Sequence, residues 1–197
     1  MSMTPDTWST LAKDRRRQYA RTGVYGPMTL RVHGGKICLE QVVCGKESLE
    51  DNTYKTRLSG TYAHLDDFVF SVRSNTLIQK LATLIGMQDL EIGDPEFDSA
   101  FVVRANDAQK ARELFADEVT RQLMLSVHRI WWLTIEARDF IDDDPNNLIT
   151  VLGCRRAIVW ERPGQETNEQ LLMAMFEIFE HLLKRLCDLG MATPDGR

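Results

Sequence analysis

The chain has 197 residues, 43% of them hydrophobic and 27% charged, with a net charge of −5. That length suits one domain with a proper core, and the composition argues against general disorder. The negative balance is too mild for an acidic-protein role and has the wrong sign for a nucleic-acid binder.

Thr4-Pro5-Asp6 supplies a capping hydroxyl, a proline at the first helical position and an acid in the first turn. A helix follows, with Trp8, Leu11, Ala12, Arg15 and Tyr19 on one face and Gly23 as its stop. Residues 1–22 also hold Lys13, Arg15, Arg16, Arg17 and Arg21 against Asp6 and Asp14, which leaves +3 there and −8 on the remainder. This cluster is open to three readings: contact with nucleic acid, with anionic lipid or with the acidic body of its own fold. The last is favoured, because charge runs are mostly solvated faces, and nucleic acid is not the expected partner.

Met28 to His33 and Lys36 to Cys44 are β-prone runs joined by Gly34-Gly35, the pattern of a hairpin. Strands are expected near Tyr54–Leu58 and Phe68–Val72, separated by a loop containing Gly60. In the second, Phe68, Phe70 and Val72 alternate with Val69, Ser71 and Arg73, which assigns the latter to a solvated face. Ser74 or Asn75 caps a short helix through Leu77, Ile78, Leu81, Ala82 and Ile85, and Leu90 with Ile92 adds a short strand.

Asp94-Pro95 turns the chain into a Phe97–Arg104 strand, after which Asp107 caps a helix and Asp117 a second, with Val119, Leu123 and Val127 inward. Ile130 to Ile135, with Trp131 and Trp132, is a strand apolar on both faces. A second β run, Leu148–Val151 continuing to Arg156–Trp160, comes after the acidic loop Asp142–Asp144. Thr167 and Gln170 form a capping box for a long final helix, and residues 191–197 read as a mobile tail. Strands followed by helices, twice over, imply an α+β fold with a largely antiparallel sheet.

Cys38, Cys44, Cys154 and Cys187 form no Cys-x-x-Cys pair and are expected as reduced thiols. No run approaches the ~20 apolar residues of a membrane span, and no apolar leader opens the chain, so the expected compartment is the cytoplasm.

His33, His64, His128 and His181 lack a second ligand at i+3 or i+4, and His33 with Cys38 reads as hairpin packing, so no metal is expected. His33-Gly34-Gly35 has no Gly-x-Ser-x-Gly partner, and phosphate or dinucleotide loops are missing, which leaves neither a catalytic set nor a cofactor site. Asp94, Glu96 and Asp98 alternate, so a strand there projects three carboxylates to one side; the competing reading is a solvated turn. Asp142–Asp144 lack the glycine and distal glutamate of a calcium loop. In the final helix Leu172, Met175, Phe176, Phe179, Leu183 and Leu186 form one stripe, widened by Leu171, Ile178 and Leu182. Such an arc is broader than one core usually needs, so the helix is either wedged deeply into its own domain or meets a partner.

The segment from Gln88 to Asp98, followed by Phe101-Val102-Val103 and Asn106-Asp107, resembles a bacterial domain family of unknown function. Its signature is an acidic turn, Phe-Asp, Phe-Val-Val, Asn-Asp, Ala and Leu-Phe. Gly34-Gly35-Lys36 and Tyr54-Lys55-Thr56-Arg57 match its hairpin and its Tyr-x-x-Arg-like strand in the same order. The likeness covers residues 28 to 160 and implies a compact bacterial α+β domain. Relatives often sit beside membrane spans, from which this chain departs, and no catalytic residue attaches to the motif.

The sequence therefore reads as one domain over residues 1–190, with a helical arm over 1–23. The expected function is a non-catalytic binding or scaffold domain. It is expected to form a homodimer, or to meet a protein partner, through Met175, Phe176 and Phe179 of the final helix or through the Trp131 strand. The alternative is a small-molecule-binding domain or hydrolase using Asp94, Glu96 and Asp98.

Overall fold

The computed structural model describes residues 19–21, 28–32, 35–44, 53–75, 88–128, 134–139, 155–164 and 166–193. The chain begins there with β1 (Tyr19–Arg21), β2 (Met28–Val32), β3 (Gly35–Cys44), β4 (Thr53–His64) and β5 (Phe70–Ser74). Then come β6 (Gln88–Leu90), α1 (Pro95–Ala100), β7 (Phe101–Ala105), α2 (Ala108–Phe115) and α3 (Glu118–His128). β8 (Thr134–Asp139), β9 (Arg155–Pro163), α4 (Glu169–Asp188) and β10 (Ala192–Thr193) complete it. The strands form one sheet in the order β1-β2-β3-β4-β9-β8-β5-β7-β6, with β10 also paired to β4. All pairings between these strands are antiparallel, so the fold is α+β as the element order implied.

The hairpin forms as expected, with Val32 opposite Gly35. Beyond it the sequence misplaces several boundaries. Tyr19–Arg21, assigned to the end of an N-terminal helix, pairs as β1 with Met28–Leu30; residues 1–18 lie outside the described residues. Gly60 is not in a loop but midway along β4, which runs unbroken from Thr53 to His64. The reason is close approach: a Cβ at Gly60 would lie 3.1 Å from Leu183 Cδ1 and 3.2 Å from Phe179 Cδ1 of α4. Glycine lets the helix lie down on the strand.

Among the described residues the apolar core that the helices share lies on one face of the sheet. Because side chains alternate along a strand, the register fixes that face as Ile37, Leu39, Leu58, Tyr62, Ile158, Trp160, Ile135, Val72 and Val103, all buried. α4 presents Leu172, Met175, Phe176, Phe179 and Leu183 to the same core. At the other end of the sheet Phe70, Phe115 and Phe97 meet in sequence, with centroids 5.6 and 5.8 Å apart, so α1 and α2 are fastened to β5 by aromatic contact. Met175, Phe176 and Phe179 are 0%, 1% and 0% exposed. The wide apolar arc is thus satisfied within the chain: it faces β4 on one side and α3 on the other.

α4 is capped by Asn168, whose side chain accepts from Leu171 N at 3.1 Å, one residue later than the Thr167 box. It ends in a Schellman turn: Gly190 N donates to Cys187 O, Met191 N donates to Leu186 O, and Gly190 takes φ +70°. That turn delivers buried Met191 and the short β10 back onto β4, so Ala192 and Thr193, assigned to a tail, belong to the sheet. In α3 the inward residues are Thr120, Met124, Leu125 and Val127, while Val119 is 50% exposed. The helix expected after Ser74 or Asn75, the Trp131-Trp132 pair, the Asp142–Asp144 loop and the Leu148–Val151 run lie outside the described residues.

Candidate functional site

The Asp94 region was the sequence's main candidate for chemistry, and its geometry is different from the one expected. Pro95–Ala100 is a short helix, not the entrance of a strand; β7 begins only at Phe101. A proline at the first helical position after a capping aspartate explains the change. Asp94 Oδ1 accepts from Glu96 N and Phe97 N, both at 3.1 Å, and Asp94 Oδ2 accepts from Arg121 Nε at 2.9 Å. Asp98 reaches back, accepting from Ile92 N at 2.8 Å and Gly93 N at 2.9 Å. Glu96 is exposed, about half a helical turn from both. The three carboxylates therefore do not share a side, and two of them are occupied by backbone N–H groups.

Arg121 extends this unit. Its NH1 donates to Phe115 O and Ala116 O, both at 2.7 Å, so one guanidinium joins the start of α1 to the end of α2. The Phe97 backbone N–H, together with the Arg121 guanidinium, holds the Asp94 carboxyl below the usual carboxylate range. Asp107 and Asp117 cap α2 and α3 as expected, accepting from Lys110 N and Thr120 N respectively. A second tie lies at the far end: Arg156, 7% exposed, donates through NH1 to Asp66 O and Phe68 O.

Ser74 Oγ and His128 Nδ1 are 2.9 Å apart, a spacing that a nucleophile and base would share. Ser74, however, is 0% exposed and the imidazole packs on Phe101 at 4.9 Å, so the pair joins α3 to β5 in the interior. Among the described residues no group of three His, Cys, Asp or Glu side chains converges as metal ligands. Cys38 and Cys187 are in no disulfide, and burial first, then Asp188, pushes the Cys187 thiol up.

The second face of the sheet is different in kind. The register sets Cys38, Ser59, Val159, Glu136, Ser71, Arg104 and Asp89 opposite one another in turn, a single row across seven strands. Ion pairs flank it. Glu161 takes Arg57 Nε at 2.7 Å and Lys55 Nζ at 3.0 Å, while Arg57 also reaches Glu40 at 3.2 Å. Arg73 pairs with Glu136, and Arg104 with Asp89 at 2.6 Å.

Within this charged face, Ser59 and Ser71 are 1% and 5% exposed. Their hydroxyls, with Arg73 Nε, are buried without a hydrogen-bond partner. Such atoms are costly, since each gives up water and receives nothing in exchange. Ser71 lies directly across from Glu136 on one side and Arg104 on the other. Sequence reasoning missed this cluster because alternation alone assigns Ser71 and Arg73 to solvent; the register that brings Glu136 and Arg104 beside them is long-range. The one signal in the chain was a serine and an arginine alternating with large apolar residues, a pattern shared by most half-buried strands.

Comparison with protein-family models, with curated proteins and with solved structures found no match. Among the described residues no helix is long and apolar enough to cross a membrane.

Proposed function

We propose that this chain is a non-catalytic binding domain whose ligand site lies among the buried polar side chains of the second face of the sheet. The observation that carries the reading is the pair of buried, unpartnered hydroxyls of Ser59 and Ser71 among the ion pairs of that face. A folded core favours satisfied or apolar groups, so hydroxyls held out of water without partners are suited to a ligand rather than to the fold. Glu136, the carboxylate across from Ser71, is held by the Arg73 guanidinium, which favours recognition over acyl transfer. The carboxylate-based hydrolase has no comparable support, because Asp94 and Asp98 are engaged by backbone N–H groups. Of the two surfaces expected to make a homodimer, the Met175, Phe176 and Phe179 stripe is interior and the Trp131 strand lies outside the described residues. Self-association is therefore not part of this proposal.

The test needs no ligand. Ser71→Ala and Ser59→Ala each remove an unsatisfied buried hydroxyl and should raise the unfolding free energy of the empty protein by about 1 kcal/mol. Urea denaturation of the two variants measures this. If both changes destabilise by a similar amount, the hydroxyls serve the fold and the reading fails.

A further inference from the structure

On the reading that the second face of the sheet holds a ligand site, we infer that Ser71, Arg73 and Arg104 form a site for an oxyanion group, phosphate or carboxylate. Arg73 stands two residues along β5 from Ser71 and so shares its face; Arg104 is its direct cross-strand neighbour on β7. The two guanidinium side chains are 20% and 18% exposed, mostly withdrawn from water. A guanidinium carries five N–H donors. Among the described residues Arg73 makes one hydrogen bond, to Glu136, and Arg104 makes one, from Nε to Asp89. The Ser71 hydroxyl and Arg73 Nε are both buried and both unpartnered.

Donors thus outnumber acceptors around Ser71. The two carboxylates nearby are 30% and 59% exposed, so water screens Asp89 more strongly than it screens either guanidinium. A cation would find Glu136 already paired. A single carbonyl oxygen offers two lone pairs, too few for this set. A group with two to four acceptor oxygens matches it, and guanidinium forks are the side chains best shaped to hold one. Ser59 lies on the same row three strand spacings away, about 14 Å, and is left to the remainder of a larger ligand.

The probes are inorganic phosphate and acetate, each compared with potassium chloride at equal ionic strength. Thermal unfolding and isothermal titration are read for the wild type, Ser71→Ala and Arg104→Gln. At least one of the two oxyanions should raise the wild-type midpoint above the chloride control and titrate as one saturable site. Either variant should weaken that binding about tenfold or more, the loss of a charge-assisted contact. A larger effect of phosphate identifies a tetrahedral group, and a larger effect of acetate a planar one. No midpoint rise beyond chloride with either anion, or equal rises in all three proteins, overturns the inference. Should Arg104→Gln fail to fold by circular dichroism, the near-isosteric Ser71→Ala decides alone. The ligand-free serine-to-alanine stabilities are read separately, so a recognition face that binds no oxyanion is distinguishable from a face that binds nothing.

Discussion

Phe179 of α4 rests on Gly60 of β4: a Cβ added to the glycine would meet the Phe179 ring edge at 3.2 Å and Leu183 Cδ1 at 3.1 Å. This contact brings the helix close to the strand, nearer than a side chain at position 60 would ordinarily allow. It is also why a twelve-residue strand carries a glycine at its centre.

Replacing Gly60 by Ala should therefore test the tolerance of that contact. The added methyl needs a shift of a few tenths of an ångström, and the expected cost is about 1 kcal/mol. Gly60→Val, with two further carbons beside the same two side chains, should cost about 3 kcal/mol and loosen α4. Urea midpoints and amide exchange along α4 check this. Equal stability of all three proteins would show that the helix is not seated on the glycine.

Asp98→Ala should destabilise the domain by about 1–2 kcal/mol, since Ile92 N and Gly93 N lose their acceptor. Glu96→Ala should change stability little, because Glu96 is exposed at the N-terminal turn of a short helix. The pair separates a structural turn from a carboxylate site. A functional cluster predicts the reverse, with Glu96 mattering for a ligand and Asp98 replaceable without loss of stability.

Local chemistry was legible in the chain, and non-local chemistry was not. Caps at Asp107 and Asp117 and the glycine-linked hairpin depend on neighbours within a few residues, so pattern was enough. Gly60 failed because its reason lies more than a hundred residues away, in Phe179 and Leu183. The Pro95 helix failed because Phe-Val-Val dominated the reading of a segment whose first six residues obey their cap instead. Thr120 and Val119 exchanged places in α3 because the helix starts at Glu118 and turns its threonine inward. The candidate site was the least legible element: strand order places β8 between β9 and β5, and only that order brings Glu136 between Val159 and Ser71.

Stability should fall in acid for a stated reason. Asp66 lies below its usual range even though burial opposes ionisation, because Lys110 and the Phe68 N–H favour the carboxylate. Asp117 does so against burial too, through Thr120, His181 and Arg185, and Asp94 through Phe97 and Arg121. Folded pKa values below the unfolded ones mean that the unfolded chain binds more protons in acid, so stability rises with pH there. The contribution is complete above the unfolded aspartate value of about 4 and is lost as pH falls through the folded values. Urea midpoints measured downward from about pH 6 should drop through this window. Asp66→Asn and Asp117→Asn should each be less stable at neutral pH and show a shallower acid slope. An unchanged slope would remove these carboxylates from the account.

Phe179→Glu and Met175→Glu distinguish a buried stripe from an interface. Both side chains are fully buried in the chain's own core, against β4 and the neighbouring helices. A carboxylate placed there has no described cation beside it and must either ionise in an apolar setting or take up a proton. The cost is expected to exceed about 4 kcal/mol, a large part of the stability of a domain this size. The variants should lose the cooperative unfolding transition and aggregate or unfold. An interface stripe would instead yield a folded protein with native circular dichroism and a smaller sedimentation coefficient. Sedimentation velocity and far-ultraviolet circular dichroism on the same samples decide between the two outcomes. Folded, dissociated variants would return the final helix to the surface, and with it the homodimer that its sequence first suggested.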